Sequence, residues 1–218
     1  MTGSVYALLV GINDYRVGVR PLSGCIDDVE QFESFLVRRV DQASLHIEKM
    51  LDDKATRQRV VDAFSTHLKR AGPGDVAVFF FAGHGSYETV DERLWFLEPT
   101  GRNQTLVCAD SRRDGIPDLA DKELSHLISE VAQRGPHMLV VLDCCHSGGA
   151  TRDPGPMRVG ATFRAAPPSE HPRPLESYLP SIREAAARAG TAAEPAQHHV
   201  TRDSRTAISA LSPLDRPR

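Results

Sequence analysis

The chain has only four cysteines among its 218 residues, at positions 25, 108, 144 and 145. Their spacing does not match a zinc finger, and a chain of this length with so few cysteines is not a disulfide scaffold. We therefore expect reduced thiols and a cytoplasmic protein.

Long apolar runs and a leader segment are also missing. The run from Val76 to Ala82 is among the longest, and it is far shorter than a membrane-spanning helix. The first residues lack the basic and then apolar pattern of a signal peptide. We therefore expect no membrane partner.

The chain has no excess of positive charge, since its net charge is −3 at pH 7. Acidic residues outnumber basic ones before residue 150, and the reverse holds after it. An acidic main part argues against a nucleic-acid partner, which requires a basic face. It suits a cationic substrate or a metal cation, although a solvated acidic surface explains it equally well.

What the sequence does contain is an α/β pattern long enough for one substantial domain. We predict strands at Val5–Val10, His46–Leu51, Asp75–Ala82 and Met138–Leu142, and helices at Val29–Arg39, from the cap Thr56 to the breakers after Leu68, and at Leu119–Gln133. The first helix is expected to place Val29, Phe32, Phe35 and Leu36 on one face. Leu94–Leu97 and Thr105–Cys108 are predicted to pair as a two-stranded excursion. This order predicts a mostly parallel central sheet with helices on both faces.

The composition changes after Ala150, where most of the 15 prolines lie. Asp153 to Pro180 has few periodic apolar positions and many breakers, which predicts a long, exposed and mobile loop. Beyond it, Ser181–Ala189 is predicted as a short helix and Thr206–Leu211 as one more strand.

Two predicted strands end in reactive side chains. Val140–Leu142 runs into Asp143-Cys144-Cys145-His146-Ser147-Gly148, and the strand ending at Ala82 runs into Gly83-His84-Gly85. If these strands are parallel neighbours, Cys145 and His84 leave the same edge of the sheet. That arrangement suits a thiol nucleophile and its base.

These two blocks resemble the catalytic blocks of the caspase-like cysteine peptidases. The Cys-His-Ser-Gly sequence is similar to the metacaspase and prokaryotic branch of peptidase family C14, whereas animal caspases carry Gln-Ala-Cys-x-Gly. The resemblance extends from Tyr6 to about Thr151 and implies a caspase-like three-layer α/β fold. It implies a large-subunit-like region at 1–151, a proline-rich mobile linker at 152–180, and a short or incomplete small-subunit-like region at 181–218.

The resemblance also implies roles for individual residues. Cys145 is the expected nucleophile because it directly precedes His-Ser-Gly, while Cys144 is expected to face the core, since adjacent side chains of an extended segment diverge. His84 is the expected acid and base, and the amides of Gly85 and Cys145 are the expected oxyanion hole.

Asp28 and Asp143 match two acids that line a pocket for a basic P1 side chain, the residue before the cleaved bond, in the metacaspase-like branch. A carboxylate at the base of such a pocket binds Arg or Lys. The alternatives are that Asp28 stabilises the first turn of its helix and that Asp143 orients the nucleophile loop.

The aspartates and the residues around the two adjacent cysteines offer two candidate metal sites. Asp110 and Asp121 resemble aspartates of the calcium site of many metacaspases, but Lys122 and Arg152 stand where further acids are usual. Structural capping is the alternative for Asp121, and no cofactor is expected to be required. A zinc site from His84, Cys144, Cys145 and His146 would have crowded, adjacent ligands.

The resemblance therefore implies a cysteine endopeptidase that cleaves proteins or peptides after Arg or Lys. The alternatives are a peptidase with acidic P1 specificity and a non-catalytic interaction module of the same fold. We also expect control by cleavage in the loop after the nucleophile, by the chain itself or by an upstream peptidase. The candidate positions are Arg152, Arg158, Arg164 and Arg173.

Overall fold

The chain folds around a five-stranded parallel sheet, beside which lies a three-stranded antiparallel sheet. A computed structural model describes residues 3–15, 18–145, 164–169, 172–191 and 207–210. Its strands are β1 Val5–Gly11, β2 Leu45–Leu51, β3 Val76–Ala82, β4 Gly85–Thr89, β5 Arg102–Leu106, β6 Leu119–Ala120, β7 His137–Asp143 and β8 Ala207–Ala210. The parallel sheet has the order β2-β1-β3-β7-β8, and the antiparallel sheet has the order β4-β5-β6.

Helices cover both faces of the parallel sheet, as predicted. The helices are α1 Cys25–Arg39, α2 Arg57–Thr66, α3 Asp121–Ala132 and α4 Pro180–Thr191. On α1, Phe32 stacks on Phe80 of β3 with ring centroids 4.7 Å apart, whereas Phe64 of α2 packs on Phe79 at 5.0 Å. Because successive residues of a strand point to opposite faces, α1 and α2 lie on opposite sides of the sheet.

The core is built mainly on β1 and β3, two of the strands that have another strand on each side. Phe79 and Phe81 of β3 are completely buried, as are Leu8 and Leu9 of β1. Burying an aromatic or aliphatic side chain of this size contributes about 1.5–3 kcal/mol. These strands are therefore a rigid support for the loops at their carboxyl ends.

Helix α1 starts earlier than predicted, at Cys25 rather than Val29. Gly24 takes a positive φ of 92° as its N-cap, and the amide of Cys25 donates to the Asn13 side chain at 3.0 Å, so a partner 12 residues away begins the helix. Of the four residues predicted to share one face of α1, Val29 and Leu36 are buried, whereas Phe35 is 44% exposed.

The predicted excursion is wrong in its first strand. Leu94 closes a 3₁₀ turn and is buried, while Trp95, Phe96 and Leu97 follow it as exposed residues. Strand β5 pairs instead with β4, which follows His84 directly. Leu119 and Ala120, predicted as the start of a helix, form β6 against β5.

The described C-terminal parts hold both predicted elements. Helix α4 covers the predicted helix, and β8 extends the parallel sheet beside β7. Among the described residues of the segment Asp153 to Pro180, which was predicted to be exposed, Ala166, Arg173 and Tyr178 are buried instead. Over the part of the chain described, no helix has the length and apolarity needed to cross a bilayer.

Candidate active site

The predicted catalytic blocks come off neighbouring parallel strands. Ala82, the last residue of β3, pairs in register with Asp143, the last residue of β7. Just beyond this pair, the amide of Gly83 donates to the carbonyl of Asp143 at 3.3 Å. His84 and Cys145 therefore leave the same edge of the sheet, two residues past the paired strand ends.

His84 is held by main-chain and ring contacts. Its Nε2 lies 2.7 Å from the carbonyl oxygen of Arg20. A carbonyl only accepts hydrogen bonds, so Nε2 carries the hydrogen and Nδ1 of the neutral ring keeps its lone pair. Nδ1 is buried and has no hydrogen-bond partner among the described residues. Burial lowers the pKa of His84, and the Arg20 carbonyl opposes part of that shift.

Tyr15 fixes the loop that carries His84. Its hydroxyl accepts the His84 main-chain N–H at 2.8 Å, and the two rings lie 4.8 Å apart. A Cβ at Gly83 would come within 2.7 Å of that hydroxyl, so a side chain at position 83 would push the two apart. The first glycine of Gly-His-Gly is thus required by the approach of Tyr15.

The two adjacent cysteines have different surroundings. Cys144 packs against the main core, as predicted from the alternation of side chains. Burial, with a smaller contribution from the Asp143 carboxylate, raises the pKa of the Cys144 thiol to about 12. A thiol with that pKa stays protonated at neutral pH, so Cys144 is a poor nucleophile.

Two amides converge on one carbonyl oxygen. The N–H of Gly85 donates to the carbonyl oxygen of Arg164 at 2.9 Å, and the N–H of Cys145 donates to the same oxygen at 3.1 Å. These are the two amides expected to form the oxyanion hole. A pair of donors on one carbonyl is the arrangement that stabilises negative charge developing on that oxygen.

The side chain of the same arginine lies between the two predicted pocket acids. Arg164 donates from Nη2 to Asp28 and from Nη1 to Asp143. Burial raises the pKa of Asp143 and outweighs the lowering caused by Arg164. Two carboxylates half-buried near each other are stabilised by a cation between them, which here is the guanidinium of Arg164.

The candidate calcium ligands are engaged elsewhere. Asp110 accepts the main-chain N–H of Arg57 at 2.7 Å and so stabilises the start of α2. Lys122 lies 3.0 Å from Asp121 and 2.6 Å from Glu98. In the described residues, no group of three or more potential metal-binding side chains comes together. The described residues thus show no assembled calcium site, and Arg152 and His146 lie outside them.

Sequence reasoning missed three contributors to the site. The Tyr15 hydroxyl, the Arg20 carbonyl and the position of Arg164 all depend on loops meeting across the fold. Arg164 alone left a signal, because it is one of the four arginines predicted as candidate cleavage positions.

A parallel sheet covered on both faces, with His84 and Cys145 on adjacent strand ends, defines the caspase-like class of α/β proteins. Within that class, the family described as "Metacaspase, peptidase C14 domain" matches residues 6–154. The chain belongs to this family.

Individual relatives agree with the family match. Metacaspase-1 of Schizosaccharomyces pombe is 31% identical over 154 residues, which cover 68% of this chain and 35% of that protein. Metacaspase-1 of Plasmodium falciparum is 29% identical over 152 residues, 66% of this chain and 24% of that protein. Metacaspase-3 of Trypanosoma cruzi is 29% identical over 157 residues, 68% of this chain and 41% of that protein. The chain thus spans well under half the length of these relatives.

A solved structure supports the fold. A crystal structure of a Geobacter sulfurreducens protein superimposes with a TM-score of 0.56 at 23% identity, covering 85% of this chain and 62% of that one. At this identity the similarity concerns the fold alone.

Proposed function

We propose that the chain is a cysteine endopeptidase that cleaves proteins and peptides after Arg or Lys. The observation that carries this proposal is the position of Arg164. Its side chain pairs with Asp28 and Asp143, while its carbonyl oxygen accepts the amides of Gly85 and Cys145. With its side chain held by the two acids and its carbonyl held by the two amides, Arg164 has the orientation that the P1 residue of a substrate requires.

In the proposed reaction, His84 takes the thiol proton of Cys145 at Nδ1, and the thiolate attacks the carbonyl carbon of the P1 residue. The oxyanion forms between the amides of Gly85 and Cys145. His84 then returns that proton to the departing amine as the C–N bond breaks and a thioester remains. A water molecule gives a proton to His84 and its hydroxide to the acyl carbon, which releases a carboxylate and restores Cys145.

The state of His84 supports the role of acid and base. The Arg20 carbonyl holds the hydrogen on Nε2, so Nδ1 is the ring atom free to accept a proton. Because burial lowers the pKa of His84, the ring is neutral at pH 7 before the reaction begins. The Arg20 carbonyl also stabilises the imidazolium once it forms, since it accepts from a charged donor.

Asp28 and Asp143 support basic rather than acidic P1 specificity. An acidic substrate side chain would add a third carboxylate to a site that already has two. Arg fits well because its planar guanidinium reaches both acids at once, as Arg164 does.

We further propose that Arg164 restrains the uncut chain. Its side chain fills the place that a substrate Arg or Lys requires, and the adjoining bond, Arg164–Ala165, is the one presented for cleavage. Cutting it, by this chain or by an upstream peptidase, gives the end at Arg164 freedom to leave the pocket. Of the other candidate arginines, Arg173 is buried and so unsuited to cleavage, and Arg152 and Arg158 lie outside the described residues.

A cytoplasmic setting is proposed with the same function. Cys25 and Cys108 are free thiols, which supports a reducing compartment. A thiol nucleophile would also keep its activity best where disulfides do not form.

Basic P1 specificity predicts the outcome of a simple comparison. Fully cleaved protein should hydrolyse fluorogenic peptides with P1 Arg or Lys far faster than a matched P1 Asp peptide. Asp28→Ala should lower kcat/KM for the Arg peptide by about 100-fold, because losing one partner of a buried charge pair costs about 2–5 kcal/mol.

Asp27→Ala is the matched control. Asp27 lies in the same first turn of α1 but is exposed, so its loss should leave kcat/KM nearly unchanged. A preference for P1 Asp, or equal effects of the two substitutions, would contradict the assignment of the pocket.

We also propose that catalysis does not require calcium. Lys122 already pairs with Asp121 and Glu98, and a cation at that position would repel the ion. Activity measured from chelator through millimolar calcium should therefore change by less than about twofold. A steep rise from zero activity would show that other oxygens complete a calcium site.

A further inference from the structure

The residues that follow Arg164 lie along the outer edge of β4. Ala165 bridges to Gly85 and Ser169 bridges to Glu88, both in the parallel sense. The N–H of Ala166 donates to the Gly85 carbonyl at 2.9 Å, and the N–H of Ser169 donates to the Tyr87 carbonyl at 3.0 Å. Because β4 is the edge of the antiparallel sheet, this segment is added to it as a further strand.

Two side chains bind the carbonyls of this segment. The Ser86 hydroxyl lies 2.9 Å from the carbonyl oxygen of Pro167 and 3.2 Å from that of Ala166, so it donates to either. Arg112 donates from Nη1 to the carbonyl oxygen of Pro167 at 2.7 Å. The carbonyl oxygen of Pro167 thus accepts hydrogen bonds from both a hydroxyl and a guanidinium.

Arg112 is held in place before it reaches the segment. Its Nε and Nη2 lie 3.2 and 2.8 Å from the two carboxylate oxygens of Asp118, which is buried. Its backbone has a φ of 67°, a left-handed conformation that a side chain other than glycine rarely adopts. The Arg112 guanidinium is thus held by a buried carboxylate, and the residue has a strained backbone. Both features are typical of a side chain whose position is set by the group that it binds.

We propose that the β4 edge, with Ser86 and Arg112, is the subsite for the residues that follow the cleaved bond, the primed side. This rests on the proposed peptidase function. Arg112 is its positioning residue and holds the carbonyl of the third residue after the bond. The subsite fits an extended polypeptide with at least three residues beyond the basic one.

The contacts explain which sequences fit. All the hydrogen bonds go to main-chain atoms, so the subsite selects an extended backbone rather than particular side chains. Pro167 lacks an N–H, but only its carbonyl is used. Proline at this third position is therefore accepted, whereas proline at the second would lose the bond from Ala166 to the Gly85 carbonyl.

Self-cleavage of the full chain tests the subsite. Intact-mass analysis should show the Arg164–Ala165 bond cut about tenfold more slowly in Arg112→Lys, since a hydrogen bond from a charged donor is lost or lengthened. Ser86→Ala should also slow the cut. Arg113→Lys is the matched control, because Arg113 is exposed and pairs only with Asp114 among the contacts that the structure describes, and it should cut at the wild-type rate.

A second measurement separates the subsite from the catalytic groups. In an Arg164→Ala background, Cys145 is labelled by a peptidyl chloromethyl ketone with P1 Arg, a probe that has no primed side. Arg112→Lys should reduce labelling far less than it reduces self-cleavage. If both the Arg112→Lys and Ser86→Ala chains were cut at the wild-type rate, the subsite would be refuted but the peptidase function would not. Equal slowing of self-cleavage and of labelling would have the same meaning. A wild-type chain that neither cuts nor labels would refute the peptidase itself.

Discussion

A chain carrying Cys145→Ala is expected to stay uncut at Arg164–Ala165 and to hydrolyse no peptide with P1 Arg. The expected loss in kcat is at least about 10⁴-fold, since removing the nucleophile of such a pair leaves only binding and oxyanion stabilisation. Intact-mass analysis reports self-cleavage, and a fluorogenic peptide reports turnover. Both readouts depend on the same thiol, so they should fall together.

Cys144→Ala is the matched control for this substitution. Cys144 precedes the nucleophile directly, yet burial raises the pKa of its thiol to about 12. Burial likewise raises the pKa of the Cys25 thiol to about 12, although Arg164 opposes the shift. Cys144→Ala should therefore keep most of the activity, and the reverse result would mean that Cys144 is the nucleophile.

The position of the cut identifies the occupant of the pocket. Arg164→Lys should still be cut, because a lysine presents a cation to Asp28 and Asp143, whereas Arg164→Glu should remain whole at this bond. A wild-type cut at another arginine would show that Arg164 is bound there without being the residue cleaved.

Strand ends were predictable because they depend on local pattern. The apolar runs of β3 and β7 end at a glycine-flanked histidine and at a pair of cysteines, and buried parallel strands bring their carboxyl ends to one edge. Helical periodicity likewise predicted α2 and its N-cap, at which the Thr56 side chain accepts the main-chain N–H of Arg59. Signals of this kind need no knowledge of distant residues.

Features that depend on distant partners were not predictable. Helix α1 begins at Cys25 because the Asn13 side chain takes its first amide, and β4 was missed because its partner β5 lies beyond an intervening turn. The segment after Arg164 looked like an exposed loop because its apolar residues lack periodicity. It is stabilised instead by main-chain bonds to β4 and by a buried arginine, and neither leaves a periodic pattern.

That arginine is Arg173, and replacing it by Ala is expected to lower the free energy of unfolding by about 3–5 kcal/mol. Arg173 is 5% exposed and donates to both oxygens of Glu123, at 2.9 and 3.0 Å, and to Glu88 at 3.3 Å. Its guanidinium also lies 3.8 Å from the centre of the Tyr178 ring. For a chain of this size the melting temperature should fall by about 10 °C.

The loss should depend on pH, because Glu88 is left without its cation. Glu123 keeps Arg57 at 2.6 Å, whereas the described partners of Glu88 are then the uncharged groups of Asn103 and Tyr178. Burial already raises the pKa of Glu88 above its usual value, and Arg173 opposes that shift. Removing Arg173 raises the pKa further, so protonation at low pH relieves the penalty. Destabilisation should thus be smaller at pH 5 than at pH 7.5.

Arg188→Ala provides the comparison for a surface arginine. Arg188 lies on the exposed side of α4 and is 3.9 Å from Glu184 one turn earlier, a pair that contributes only about 0.3–0.5 kcal/mol. Urea unfolding of both variants at the two pH values measures the difference. If Arg173→Ala cost no more than Arg188→Ala, or cost the same at both pH values, the buried cluster around Arg173 would not be what fixes residues 172–179 to α3 and β4.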